Sequence, residues 1–285
     1  MNILVTGAGG QLGRDVVRVL RAQHEVKGYN RAQWDVTDEA VTWKILTSTR
    51  PDIVVHCAAY TDVDRSQTDT VEAHRVNGRA TRQLASACGI LGARLVYIST
   101  DYVFDGTKKD GYTEMDRPRP INVYGRTKRL GERWVQRCCP RHMILRTSWL
   151  YGMHGRNFVS AILSKAKEGG PLHVVNDQRG CPTYTRHLAQ MIERLIRLQA
   201  QGIFHTAHTG SCTWYQLAAA ILQHAGYTDI NLHPISTASL GRPAPRPAVS
   251  VLHSERILKL GLPLMPHWRE GLAAYFRDRK EGEEA

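Results

Sequence analysis

Tyr124 and Lys128 lie four residues apart in a stretch with helical spacing, where positions i and i+4 share a face, so both side chains can enter one cleft. A phenol near pKa 10 is a poor proton donor or acceptor at neutral pH until a neighbouring ammonium stabilises its phenolate form. Lys128 could supply that ammonium and also hold a ribose hydroxyl. Thr100, at the end of Ile98-Ser99-Thr100, adds a hydroxyl able to orient a carbonyl under reduction. These three are the candidate catalytic residues. Of the eleven tyrosines Tyr124 alone has a lysine four residues on, yet nine lysines in 285 residues give roughly 0.3 such pairs by chance, so the weight falls on where the pair stands.

It stands downstream of a glycine turn. Gly7, Gly10 and Gly13, with Gln11 and Leu12 between them, follow the first apolar run and open the first helical segment. A side chain at these glycines would block the tight turn, the approach of backbone to a pyrophosphate, or the packing of helix on strand. The free N–H groups of the helix start then favour phosphate. About 20 residues on, where an acid usually receives the ribose of NAD, the chain has Asn30-Arg31. Arg31 could bond a 2′-phosphate, which predicts NADPH in preference to NADH. Asp35 and Val36 after that loop, and Ala58, Ala59, Tyr60 and Thr61 after the third apolar run, complete the expected cofactor lining.

The elements that must position these residues alternate. Apolar β-branched runs at Ile3–Thr6, Glu25–Tyr29, Asp52–Cys57, Arg94–Ser99 and Met143–Thr147 are separated by helical segments at Gln11–Ala22, Asp38–Thr49, Thr70–Gly89 and Ile121–Arg137. That rhythm predicts a doubly wound α/β unit with a parallel sheet, whose ligands bind at the carboxyl ends of the strands. Beyond Tyr151 the pattern shifts to helices near 157–168, 185–199, 213–225 and 269–276, joined by Gly- and Pro-bearing loops. Two lobes are expected, 1–150 and 151–285, with 184–207 returning to the first. Gly241–Pro247 reads as a loop over a site, and Lys280–Ala285 as a disordered tail.

At 285 residues, 42% hydrophobic and 22% charged, the chain is sized for a substantial globular core, and it has no membrane-length apolar run. Its first residues read as a strand and not as a secretion signal, so a cytoplasmic location is expected. The six cysteines form no C-x-x-C pair and the 13 histidines no H-E-x-x-H pattern, so neither disulfides nor a bound metal are predicted. The net charge of +12 is spread along the chain, with Arg14, Arg18 and Arg21 on one helix, and no nucleic-acid-binding pattern accompanies it.

Taken together the residues resemble an extended short-chain dehydrogenase/reductase, and more narrowly the dTDP-4-dehydrorhamnose reductase family. The resemblance is carried by Gly10–Gly13, Asp35–Asp38, Cys57–Asp64, Ser99–Gly106, Arg146–Trp149, Asn176–Gln178, Arg246-Pro247 with Ser250, and Pro266–Trp268. It implies a Rossmann-type sheet with a smaller mixed substrate lobe. It also implies NADPH-dependent reduction of the C4 ketone of dTDP-4-dehydro-6-deoxy-L-mannose to dTDP-L-rhamnose. Tyr124 would be the proton donor, Lys128 its modulator and Thr100 the third member. Thr100, Asp101 and Trp149 would contact the sugar, and Gln178 and Arg246 would bracket the nucleotide diphosphate.

Two departures bear on what carries over. Many relatives have an acid at Asn30, whose absence favours NADPH. In some members Mg2+ bridges a dimer through acids on the first helix and in the second lobe. Asp15 matches the first position, but Arg186 stands at the second, so a monomer or weak homodimer is expected.

Rival readings remain. A sugar-nucleotide dehydratase needs an Asp-Glu pair after the threonine, whereas Asp101 is followed by Tyr102. An epimerase is disfavoured by the second-lobe resemblance. A reductase of a related dTDP-ketosugar, such as dihydrostreptose synthase, and a non-catalytic NADP-binding regulatory subunit, like the β-subunit of methionine adenosyltransferase, stay open.

Overall fold

In chain order the elements of the computed structural model are β1 (Asn2–Thr6), α1 (Gln11–Leu20), β2 (Glu25–Tyr29), α2 (Glu39–Thr49), β3 (Ile53–His56), α3 (Val63–Thr68), α4 (Thr70–Ala73), a π-helical segment (His74–Ala80), α5 (Thr81–Leu91), β4 (Arg94–Thr100), α6 (Val123–Cys138) and β5 (His142–Thr147). There follow β6 (Leu150–Tyr151), α7 (Phe158–Glu168), β7 (Leu172–Val175), β8 (Arg179–Gly180), β9 (Thr183–Tyr184), α8 (Thr185–Arg197), β10 (Gly202–His205), β11 (Cys212–Thr213), α9 (Trp214–His224), β12 (Leu232–Ile235), α10 (Glu255–Lys259) and α11 (Trp268–Glu284). The structure describes residues 1–284, with side chains described to Glu281.

Six strands form one parallel sheet in the order β10-β5-β4-β3-β1-β2. Strands covered on both faces read as continuous apolar runs, and Arg94–Thr100 is buried at every position. One face carries α1 and α8, where Leu12, Val16 and Leu20 meet Leu188, Ile192 and Leu195. The other carries α2, α5 and α6 through Leu46, Leu84 and Val135. The order reverses at β1, whose neighbours β2 and β3 lie on opposite sides, and such a switch point opens a crevice at the strand ends. The predicted α/β class and parallel sheet are what the structure shows. Its sixth strand, Gly202–His205, pairs with β5.

A second core lies among α7, α9 and α11, built on Leu163, Leu217, Ile221 and Leu272. Its strands are two to four residues long and form small two-stranded sheets, with Arg179 of β8 also bridging to Val249. Two sequence expectations change. The helix from Thr70 is interrupted by the π-segment, which a further short helix, Val63–Thr68, precedes. The expected disordered tail instead continues α11 through Glu284, because no proline follows Trp268 and the helix is anchored by buried Leu272, Tyr275 and Phe276; Ala285 lies outside the described residues. Among the described residues no helix is long and apolar enough to cross a membrane.

Candidate active site

The switch point opens into a cavity of about 740 Å³ that runs from the loops after β1, β2 and β3 across the ends of β4 and β5 to the start of α9. At its dinucleotide end the glycines are sterically required. Gly7 has φ +66°, and a Cβ there would stand 2.7 Å from the Ala58 nitrogen. A Cβ on Gly13 would stand 2.2 Å from the Gly7 carbonyl oxygen, so any side chain would force α1 off β1. Gly10 donates its N–H to that same oxygen at 2.9 Å, which closes the turn. The cradle leaves the α1 N-terminus facing the cavity, as a pyrophosphate needs, so the residues present fit a dinucleotide.

Gly7, Gly10, Gln11, Leu12, Gly13, Arg31, Asp35, Val36, Ala58, Ala59, Tyr60 and Thr61 all line this cavity. Several are held by partners that sequence alone did not reveal. Gln11 Oε1 accepts from Asn157 Nδ2 at 2.9 Å, tying the glycine turn to the cap of α7. Asp35 Oδ1 accepts from the Thr37 amide at 2.9 Å and hydroxyl at 2.7 Å, and these bonds hold its carboxyl below the usual carboxylate range. The loop at Tyr60 is clamped by Asn77, whose Oδ1 accepts from Tyr60 N at 2.9 Å and whose Nδ2 donates to Tyr60 O at 3.0 Å. Asn77 sits in the π-segment, where the extra residue per turn aims its side chain at the Tyr60 loop.

At the chemical end, Thr100, Asp101, Tyr124, Lys128 and Trp149 line the same cavity. Asn122 starts α6 by accepting the Gly125 amide at 2.8 Å, which places Tyr124 in the first turn. Gly125 lets that turn press on the end of β4, since a Cβ would stand 2.0 Å from the Tyr102 carbonyl oxygen. Burial pushes the Tyr124 phenol up from its ordinary value, with the neighbouring Thr100 hydroxyl opposing and the Asp101 charge reinforcing the rise. Lys128 is buried and donates to the Ile98 carbonyl at 2.7 Å, its ammonium 4.1 Å from the Tyr97 ring centroid. Burial lowers it to about 7, against the Glu132 charge and Cys57. The direct Lys128-to-phenol stabilisation expected from the spacing is therefore corrected. In this arrangement the ammonium is turned to the Ile98 carbonyl of β4, and the hydroxyl beside the phenol is that of Thr100.

Asp101 is buried, accepts from Thr100 Oγ1 at 2.9 Å, and is raised by burial to about 7, with the nearby Ser250 and Thr100 hydroxyls opposing the rise. Trp149, with φ +47°, stacks on Trp214 of α9 at 3.5 Å between centroids and 5° between planes. Gly180 makes room for it, because a Cβ there would lie 2.5 Å from the indole.

Three expected site residues lie outside this cavity. Asn30 exchanges hydrogen bonds with Gln33 and faces a separate groove lined by Arg14 and Arg18. Gln178 donates to Thr237 Oγ1 at 2.9 Å and accepts from Trp214 Nε1 at 3.1 Å, so it braces a lining residue. Arg246 is held in a two-pronged pair with Asp64 at 2.6 and 2.7 Å and also donates to the Ala244 carbonyl at 2.6 Å, so both of its Nη groups are engaged within the protein. Arg186, expected to break a metal site, pairs with Asp278 at 2.7 Å. Lining residues that sequence reading missed include Trp214, Arg156, Glu72 and Thr147. Only Thr147, at the end of a strand, carried a positional signal; the other three come from helices and loops remote in sequence.

The chain matches the protein family described as "RmlD substrate binding domain" over residues 1–280. It is 40% identical to a dTDP-4-dehydrorhamnose reductase of Streptomyces griseus over 283 residues, covering 96% of this chain and 92% of the relative. A probable dTDP-4,6-dihydroxy-2-methyloxan-3-one 4-ketoreductase of Streptomyces antibioticus is 42% identical over 283 residues, covering 98% and 95%. The crystal structure of dTDP-4-dehydrorhamnose reductase from Bacillus anthracis in complex with NADP is similar at a TM-score of 0.95 and 38% identity, covering 97% of this chain and 99% of the other.

Proposed function

We propose a function from one premise: the chain belongs to the RmlD substrate binding domain family, and it is an oxidoreductase that acts with a nicotinamide cofactor. The reading is reduction, with NADPH, of the C4 ketone of dTDP-4-dehydro-6-deoxy-L-mannose to dTDP-L-rhamnose. What supports it most is that the glycine cradle and the Thr100, Tyr124 and Lys128 side chains face one cavity, whose far wall is the Trp149–Trp214 stack.

When bound, the cofactor supplies a hydride to the carbonyl carbon of the sugar. The chain supplies the rest. Gly7, Gly10 and Gly13 admit the pyrophosphate to the N-terminus of α1, and Arg31, exposed at the rim, meets the 2′-phosphate. Thr100 and Tyr124 hydrogen-bond the sugar oxygen, and Tyr124 gives it the phenolic proton as charge develops there. Burial keeps that proton on the phenol until the acceptor becomes basic, so the transfer follows need. Lys128 lines the same cavity, where its ammonium can hold the ribose of the cofactor. The indoles of Trp149 and Trp214 keep water from the apolar side of the sugar.

The test is loss of NADPH absorbance by the purified protein with the dTDP-4-keto-6-deoxysugar generated in place by a dehydratase and a 3,5-epimerase. Turnover that requires the epimerase and yields dTDP-L-rhamnose is expected. Equal turnover without the epimerase would assign the D-configured ketosugar instead, a reading favoured by the name of a Streptomyces niveus relative, dTDP-4-keto-6-deoxy-D-glucose reductase. Binding of NADPH without any turnover would overturn the catalytic reading.

A further inference from the structure

Glu132 lies one helical turn beyond Lys128 and two beyond Tyr124, on the same face of α6, and its side chain is wholly buried. It faces the two strands whose ends form the chemical wall. Oε1 accepts from Ser99 Oγ at 2.7 Å and from Arg146 Nε at 2.8 Å, and Oε2 accepts from Arg146 Nη2 at 2.9 Å and from Arg129 Nη1 at 2.7 Å. Ser99 and Arg146 face each other across β4 and β5, in register, and each immediately precedes a cavity residue, Thr100 and Thr147. The carboxylate thus ties the helix that carries the proton donor to both strands at the level of the hydroxyl the donor must meet.

The fit beneath it is tight. A Cβ on Gly131 would stand 2.3 Å from the Tyr97 hydroxyl, so α6 sits on β4 with no room to slide. Burying a carboxylate is costly unless it is fully paired, and here four donors reach its two oxygens. Burial works to raise this carboxyl, but the Arg146 bonds and charge, with Ser99 and Arg129, outweigh it and hold the group below the usual range. It is therefore an anion in the working pH range.

We infer that Glu132 is a positioning residue for the reaction, which sets the register of Tyr124 and Lys128 against Thr100 through Ser99 and Arg146 and supplies a negative charge that favours the cationic form of Lys128. This rests on the proposed reductase reading for its kinetic part only. The groups packed around Lys128 show why the charge matters. On β3 and just after it, burial pulls His56 down to about 3 and pushes Cys57 up to about 12, and on β4 it pushes Tyr97 well up, so all three are neutral at pH 7. On its own helix Tyr124 is likewise a neutral phenol. The remaining charges are Glu132 and the two arginines it pairs, Arg146 from β5 and Arg129. Without the carboxylate, Lys128 would lose the nearby negative charge that works against its burial, and would give up its proton at lower pH.

The experiment compares Glu132→Gln and Glu132→Asp with wild type. The measurements are kcat and KM for the ketosugar against pH, and the dissociation constant of NADPH against pH by quenching of tryptophan fluorescence. Glu132→Gln keeps shape and loses charge. It is expected to lower kcat by roughly 10- to 100-fold with KM within about threefold, and to move the alkaline limb of kcat, and of NADPH binding, to lower pH. Glu132→Asp keeps the charge at shorter reach, and is expected to recover much of kcat and leave the limb where wild type has it. A folded Glu132→Gln with an unmoved limb would overturn the inference, as would a Glu132→Asp whose limb moves as far as that of Glu132→Gln. Should Glu132→Gln fail to fold, Glu132→Asp still decides, because a displaced limb with the charge retained contradicts the role. If wild type binds NADPH but reduces no ketosugar, the functional reading fails while the pH dependence of NADPH binding still tests Glu132.

Discussion

At the dinucleotide end the glycine turn and the Ala58-Ala59 step put backbone and small side chains into the cavity wall directly after β1 and β3, whereas at the sugar end the wall is large side chains drawn from parts of the chain far apart in sequence. Gly7, Gly13, Ala58 and Ala59 act there by being small, and only local turns are needed to place them. Trp149 and Trp214 act by stacking, and their positions depend on Gly180, Gln178 and the packing of the second lobe. A site made of backbone tolerates little substitution at its glycines but is indifferent to distant change. A site made of stacked side chains can be retuned one residue at a time. The same fold can thus keep one cofactor end while the sugar end diverges.

Tyr124 stands where the two ends meet, and its loss gives the largest expected effect. Tyr124→Phe removes the proton and keeps the ring, so kcat should fall by a factor of order 10² to 10⁴ while the NADPH dissociation constant stays near wild type; near-normal turnover would remove this tyrosine from the chemistry. At the sugar end, Trp214→Ala takes away half of a stack with centroids 3.5 Å apart. A partner of that kind is worth about 0.5–1.5 kcal/mol beyond its buried area, so KM for the ketosugar should rise roughly tenfold with NADPH binding unmoved. An equal loss in NADPH affinity would show that the two ends are coupled and not separate. At the dinucleotide end, Arg31→Ala should raise KM for NADPH by roughly three- to tenfold and leave KM for NADH unchanged. That effect is the smallest, because Arg31 is solvent-exposed and its charge is screened. The same change in both constants would place Arg31 away from the 2′-phosphate.

Much of the fold was legible because it is written in local patterns. Apolar runs marked all five strands of the first half, and the glycine turn marked the first strand-to-helix junction, where the structure places a cradle. The site was legible to the extent that its residues follow strand ends: Ala58, Thr100 and Trp149 all do. Reading failed where a side chain chose between partners. Arg246 was read as a ligand for phosphate, yet Asp64 lies within 2.6 Å and takes both prongs. Gln178 and Asn30 were likewise read as lining, and each spends its amide on a neighbour. The interruption of the helix at Asn77 had no periodic signal, since it answers a need of the Tyr60 loop 17 residues away.

The sequence by itself determined the parallel α/β sheet, the glycine cradle and the identity of the residues able to move a proton, because periodicity, turn chemistry and residue type are properties of neighbours in the chain. Only the tertiary structure decided which of those residues share a cavity, where the Lys128 ammonium turns, and that Glu132 is buried beneath it among Ser99, Arg129 and Arg146. Hydrogen bonds and ion pairs depend on distance and on exclusion of water. Both are set when β4, β5 and α6 pack together, and neither is encoded in any one of them.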